Sequence, residues 1–393
     1  MKKKKIKVLY IAPYAKKAYG AEEQDIQWGL KILENNKKLE IFSMFLNLEE
    51  KKFYSSIENY QNIPQFNMKL IFRYILNYLT AFDNSMRQGF TYHNYVLISK
   101  IVKDYEIDVV ITNTSSTLLY GNQNHAKHIY RSVSFEPVYV KKVVKSSLKA
   151  NLHSLLKYLS LFQEFRADLI VAISPRDEKY YNRAQFNLPI KKLMVIPLRQ
   201  FAQFIKPKKN TIKTPKLNIG FMGSTYSVLH NKKSFDFVID KMAPLLKNKS
   251  NIYINIYGRK VLSKSKKYSN VKIHNWVNNI NDVYSLNNCF VVPYFLASGM
   301  QSKVFEPLLF GKILICDPRV LSGYKFLAFK HYIPARDAEE FYKAIIWVQD
   351  NPIKAINIGK NGCLFAQKII GPKIIKFQMK YALELVMTSK KDI

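Results

Sequence analysis

The residues best suited to chemistry lie in the stretch SGMQSKVFEPLLFGK, from Ser298 to Lys312. It follows a strand-like run, CFVVPYF, and opens an apolar helical pattern. Gly299, Met300, Gln301 and Ser302 can present a concave series of backbone N–H groups, and a helix starting there adds the positive end of its dipole. Lys303 falls in the first helical turn, where an ammonium neutralises a phosphate. Glu306, one turn later, shares that face, and a carboxylate there suits paired hydrogen bonds to a ribose diol. An isolated Lys–Glu pair at this spacing reads more simply as a surface salt bridge worth about 0.2–0.5 kcal/mol. Two more glycines weigh against the simpler reading. Gly223 in FMGST and Gly258 in IYGRK each close a strand-like run, where glycine lets backbone amides approach a ligand and the next helix points its positive end. The ligand chemistry implied is a phosphorylated, ribose-bearing molecule.

Such loops need a parallel sheet to hold them. In the first half, strand-like runs (KVLYIAPY, EIFSMFL, DVVITNT, HIYRSVS, DLIVAIS) alternate with helical patterns over Glu22–Glu34, Tyr92–Tyr105 and Leu148–Phe165. Short continuous apolar strands separated by helices predict a parallel sheet covered on both faces, with ligands at the carboxyl ends of its strands. A Pro- and Lys-rich stretch then reads as a linker. A second series follows: LNIGFMGS, IYINIYG, VKIHNW, NCFVVPYF, KILICDP and HYIPAR as strands, with helices over Ser234–Leu246, Asn281–Leu286, Lys303–Phe310 and Ala338–Val348. The expectation is α/β, with two tandem Rossmann-like domains: residues 1–200, a linker over 201–216, residues 217–370, and a C-terminal helix within 371–393 packing back on the first domain.

Over most of residues 160–350 the chain resembles the nucleotide-sugar-dependent glycosyltransferases of GT-B architecture, family 4 (glycosyl transferases group 1). FRADLIVAISPRDEKYY is similar to the family's aspartate–strand–serine–helix segment, and IGFMGSTYSVLHNKKSFDFVIDKMAPLL to its first donor-domain strand, glycine loop and helix. NVKIHNWVNNINDVYSLNNCFVVPYFLASGMQSKVFEPLLFGKILIC resembles its most diagnostic block. The resemblance implies two domains facing a cleft. It places Lys303 on the donor diphosphate, Glu306 on the ribose, and Gly299 to Ser302 on sugar or phosphate. It also places Trp276 and Val277 along the nucleobase, Arg259 beside base or phosphates, and Lys232 or Lys233 as a second phosphate lysine. Ser224 stands where an arginine often follows Gly223, and Ser298 where many members have glutamate. In the first half, Gly20 in YIAPYAKKAYGAEE is implied to approach the donor phosphate, and Arg131 and Glu136 in IYRSVSFEPVYV to face the acceptor. Val133 occupies the place of a frequent histidine, while His125 and His128 read as surface or core residues. The activity implied is sugar transfer with retention of anomeric configuration, with Lys303, Arg259 and Glu136 as catalytic groups and the nucleotide-sugar as substrate, without metal or separate cofactor.

Composition narrows the remaining classes. Forty-eight per cent of the 393 residues are hydrophobic and 14% aromatic, which describes a folded chain. Three cysteines, Cys289, Cys316 and Cys363, form neither a disulfide framework nor a metal-ligand spacing. The basic N-terminal head precedes a short β-branched strand rather than a secretory signal, and no apolar run approaches the roughly 18–20 residues that span a bilayer. The expectation is a cytoplasmic protein. Its formal charge of +34, spread over both halves, fits either lysine-rich composition or attraction to polyanions. No helix-turn-helix, finger or RNP-like motif supports nucleic acid as partner. The implied partners are a nucleotide-sugar and a glycan or lipid-linked acceptor. Lys69–Tyr78 and Val140–Phe162 mix cationic, aromatic and aliphatic residues, leaving contact with an anionic inner membrane face open beside ordinary core packing. The alternatives are a nucleotide-sugar epimerase or a sugar phosphorylase on the same architecture, or a non-enzymatic basic module binding membrane or nucleic acid.

Overall fold

A computed structural model describes residues 4–14, 20–57, 68–82, 84–138, 147–184, 192–203, 216–260, 268–277, 279–295 and 299–388. Ser298 and most of the predicted linker lie outside these residues. The chain forms two compact units, one comprising Met1–Gln200 with Lys376–Ile393, the other Phe201–Ile375. Each buries its own aliphatic and aromatic core.

In the first unit seven strands form one sheet: β1 (Ile6–Pro13), β2 (Leu39–Asn47), β3 (Lys52–Ser55), β4 (Val109–Asn113), β5 (Lys127–Arg131), β6 (Leu169–Ala172) and β7 (Leu193–Val195). Their order is β3-β2-β1-β4-β5-β6-β7, parallel except for β3, which pairs antiparallel with β2. Helices α1 (Ala21–Glu34), α2 (Met68–Thr80), α3 (Asn84–Arg87), α4 (Tyr92–Asp104), α5 (Ser147–Glu164) and α6 (Pro175–Ala184) connect the strands. β1 and β4 are buried almost throughout, so their apolar runs are visible in the sequence. The short β3 and β7 are not: β3 is largely exposed and β7 has only three half-buried residues.

The second unit carries a wholly parallel six-stranded sheet: β8 (Leu217–Thr225), β9 (Ile252–Arg259), β10 (Val271–Asn275), β11 (Cys289–Val292), β12 (Ile313–Cys316) and β13 (Ile333–Pro334). Its order, β10-β9-β8-β11-β12-β13, reverses direction between β8 and β11. A doubly wound sheet opens a crevice at such a reversal, beyond the carboxyl ends of the two central strands. The helices are α7 (Leu229–Phe237), α8 (Ile280–Leu286), α9 (Ser302–Leu309), α10 (Ala338–Asp350), α11 (Pro352–Ile370) and α12 (Pro372–Thr388), of which α12 runs on into the first unit. α7 begins five residues before the predicted helix and continues through a π turn (Val238–Met242) into Ala243–Leu246. Its polar start, LHNKK, lacks both apolar periodicity and a side-chain cap, so local sequence gives no start signal. No helix among the described residues is long and apolar enough to cross a membrane.

Candidate functional site

At the reversal point, the ends of β8 and β9 are locked together by a steric fit. Gly258 has φ +142, and a Cβ on it would lie 2.1 Å from the Gly223 carbonyl oxygen. A Cβ on Gly223 would in turn meet the Tyr226 ring at 2.9 Å, while the buried Tyr226 hydroxyl donates to the Tyr257 carbonyl at 2.8 Å. The two glycines are therefore required by backbone and ring packing inside the protein. The space a Cβ would take at Gly223 or Gly258 is thus filled by protein atoms, and both glycines hold the strand ends close. Ser224, next to Gly223, is exposed.

Across the reversal, the residues after β11 lead into α9. Gly299 takes a left-handed φ of +62, and its carbonyl accepts a 2.7 Å hydrogen bond from Ser322 Oγ, itself at φ +54. Met300 is buried, with Sδ 3.9 Å from the Tyr324 hydroxyl. These contacts fix the chain at the helix entrance, where Gln301 is the N-cap but its side chain does not cap the turn. Among the described residues the first-turn amides of Ser302 and Lys303 thus lack the usual side-chain cap, which favours an anion at this end.

Lys303 projects from that first turn to meet α7. Its Nζ donates to Asn231 Oδ1 at 3.0 Å, and Asn231 Nδ2 donates to the Thr225 carbonyl at 3.0 Å. The β8 end thereby orients the amide, and the amide orients the ammonium. Among the described residues Lys303 has no carboxylate in ion-pair range, and burial pulls it down to about 8. His230, adjacent to Asn231, is held down at about 4 by burial and then by the Lys303 charge, so its ring is neutral at physiological pH. Lys303 and Glu306 form no pair. Glu306 is buried, and its Oε2 accepts from the Tyr284 hydroxyl at 3.0 Å, with the Tyr284 ring stacked on Phe310 at 4.0 Å. Among the described residues Lys303 is thus a cation without a carboxylate counter-ion, and Glu306 is a carboxylate held in one orientation.

The remaining donor-side residues lie on neighbouring elements. Arg259 ends β9 and stacks its guanidinium 4.3 Å from the ring centre of Trp276. A β-bulge in β10, with Asn275 at φ +50, sets the direction of the chain at Trp276 and half-buried Val277. Lys232 and Lys233 are exposed on α7, and Lys232 pairs with Asp236 at 3.2 Å. Of the α7 residues, Asn231 and His230 face Lys303. Neither was expected from sequence, because an Asn–His pair in a polar helix start has no distinctive pattern.

In the first unit, Gly20 is the N-cap of α1 with an ordinary extended φ of −96. Glu22 follows in the first turn, its carboxyl raised by burial and then by the charges of Glu23, Glu136 and Asp25, which places α1 and Glu136 close together. Glu136 accepts from Ser134 Oγ at 3.1 Å and pairs with Lys157 Nζ at 3.2 Å. Arg131 is not on an acceptor surface. It is buried, donates to the carbonyls of Ala172, Ile196 and Pro197, and pairs with Asp25 at 3.1 Å. Arg199 meets the same carboxylate at 2.7 Å. Burial alone would raise Asp25, but the charges of Arg131 and Arg199 outweigh it and bring Asp25 to about 2. Arg131 therefore ties α1 to the strand ends as a structural link. His128 is a core residue bonded to Thr112 at 2.7 Å.

Residues 216–351 match the family described as glycosyl transferases group 1. The match falls wholly within the second unit. Among solved structures, sucrose-phosphate synthase from Thermosynechococcus elongatus superposes with a TM-score of 0.68 at 14% identity, covering 98% of this chain and 100% of that one. HepE from Anabaena, in complex with UDP, gives 0.60 at 12% identity over 96% and 100%. A glycosyltransferase from Rickettsia africae gives 0.59 at 14% identity over 98% and 100%. No curated protein matches by sequence. The likenesses establish the GT-B fold for this chain, and the matched segment contains β8 to β13 and the whole Lys303 region.

Proposed function

We propose that the protein transfers a sugar from a uridine diphosphate donor to a glycan or lipid-linked acceptor in glycoconjugate assembly at the inner face of the membrane, with retention of configuration and without a metal ion. The observation that carries the reading is Lys303: a desolvated ammonium, oriented by Asn231, without a carboxylate partner among the described residues, at an uncapped helix N-terminus on a sheet reversal point. A diphosphate supplies the missing counter-charge. The uridine assignment is supported by fold likeness to HepE in complex with UDP and with UDP-glucose.

In this reading the anomeric carbon–oxygen bond breaks and its electron pair leaves on the terminal phosphate oxygen of UDP. Lys303 and the first-turn amides of α9 stabilise that growing charge, and donors fixed before the reaction need no reorganisation. The acceptor hydroxyl attacks the same face of the sugar, its proton passing to the departing phosphate. Glu306, held by Tyr284, takes the ribose diol, and Trp276 with Val277 flanks the base. Calorimetric titration with UDP tests the assignment: Lys303→Ala should weaken binding at least tenfold while thermal unfolding of the free protein stays cooperative. Unchanged UDP affinity in Lys303→Ala would remove the assignment.

A further inference from the structure

Two adjacent helices of the first unit pack apolar residues against the core and also leave a second apolar stripe on the surface. In α2 the apolar residues Met68, Phe72, Ile75, Leu76 and Leu79 recur at helical spacing as one stripe, yet all are exposed, and the one buried residue of the helix is Asn77. In α5 the stripe Leu148, Leu152, Leu155, Leu159 and Phe162 is likewise exposed, Leu148 at 81%, while Ser154, Ser160, Gln163 and Glu164 are buried beside Ala150 and Leu161. Polar bonds hold the seam between the helices: Gln163 Nε2 donates to Thr80 Oγ1, and Arg166, just beyond α5, donates to Asn77 Oδ1 at 2.6 Å. Amphipathic helices on a globular unit normally turn the apolar stripe inward. Here both helices also carry an apolar stripe outward, and neighbouring exposed apolar stripes are the kind of surface that marks an interaction site.

We infer that the α2–α5 face docks the protein onto an anionic lipid bilayer. The inference deepens the reading above, because a lipid-linked acceptor is presented at such a surface. Charge selects the occupant. α2 carries Lys69 and Arg73 and no acid, and α5 before Glu164 has Lys149 and Lys157 and no acid, Lys157 being paired with Glu136. Glu164, the one carboxylate of α5, is buried and accepts from Tyr181. A second copy would set one cationic surface against another, and an acidic bilayer meets it with opposite charge while its acyl region takes the apolar side chains.

The test is co-sedimentation of the full chain with phosphatidylcholine vesicles, with and without 30% phosphatidylglycerol, comparing wild type with Leu79→Glu/Leu155→Glu and with Phe72→Ser/Leu152→Ser. Both doubles alter exposed positions, so thermal unfolding should match wild type. Wild type should partition at least tenfold more onto the anionic vesicles, and both doubles should lose that partitioning while keeping UDP affinity. Wild-type protein that ignores anionic vesicles, or doubles that still bind them, would overturn the inference. So would size-exclusion showing a wild-type dimer that both doubles convert to monomer. UDP affinity separates the two proposals: loss of it in Lys303→Ala tests the donor site, and its persistence in the docking variants shows that only the lipid surface has been changed.

Discussion

Replacing Lys303 by arginine should change the pH dependence of nucleotide binding. In the free protein burial lowers the Lys303 ammonium to about 8, whereas bound diphosphate favours the charged form and raises it. Between those two values binding must take up a proton, and UDP affinity falls as pH rises, approaching tenfold or about 1.4 kcal/mol per unit. With a free-state value of about 8, roughly three quarters of the molecules carry the charge at pH 7.5 and about one in eleven at pH 9, so the dissociation constant should rise about eightfold across that interval. Arginine keeps its charge throughout and should give a flat profile, even if its larger head lowers affinity at every pH. Calorimetry in buffers of different ionisation enthalpy reads both affinity and proton uptake. A flat wild-type profile, or the same slope in Lys303→Arg, would refute the claim that this ammonium is the titrating contact.

Three further substitutions probe the site and its support. Glu306→Gln should lower the preference for UDP over its 2′-deoxy analogue by at least fivefold in paired titrations, since the amide keeps the shape but not two acceptors; an unchanged ratio would count against the ribose contact. Gly258→Ala should destabilise the protein by on the order of 2–4 kcal/mol in urea unfolding, because its Cβ would lie 2.1 Å from the Gly223 carbonyl oxygen on a backbone with φ +142. Asp25→Asn leaves the Arg131 and Arg199 guanidiniums buried without their carboxylate and should cost about 3–5 kcal/mol, or prevent folding, by the same measurement. A loss below 1 kcal/mol would show that solvent reaches that cluster.

The sequence discloses what is local. Strands buried on both sides, such as β4 and β12, are continuous apolar runs, and Gly299, Lys303 and Glu306 fall within one stretch whose helix sets their spacing. Partners contributed by distant chain segments are hidden. Asn231 lies 72 residues from Lys303, Tyr284 is 22 from Glu306, and Asp25 is 106 from Arg131. Arg131 was misplaced for this reason: the family resemblance implied an acceptor surface, while the buried carboxylate that holds it belongs to α1. In α2 the periodicity shows which residues share a face, but the direction of that face depends on Asn77, Thr80, Gln163 and Arg166 meeting across two helices. Gly223 and Gly258 were visible as strand-end glycines, yet the Tyr226 ring and carbonyl that require them were not.

The donor site is tested most directly by a crystal structure of the protein soaked with UDP. The account predicts the terminal phosphate within hydrogen-bond reach of Lys303 Nζ and the first-turn amides of α9, with the ribose hydroxyls on Glu306. UDP bound elsewhere on the second unit, with Lys303 still engaged only by Asn231, would contradict it.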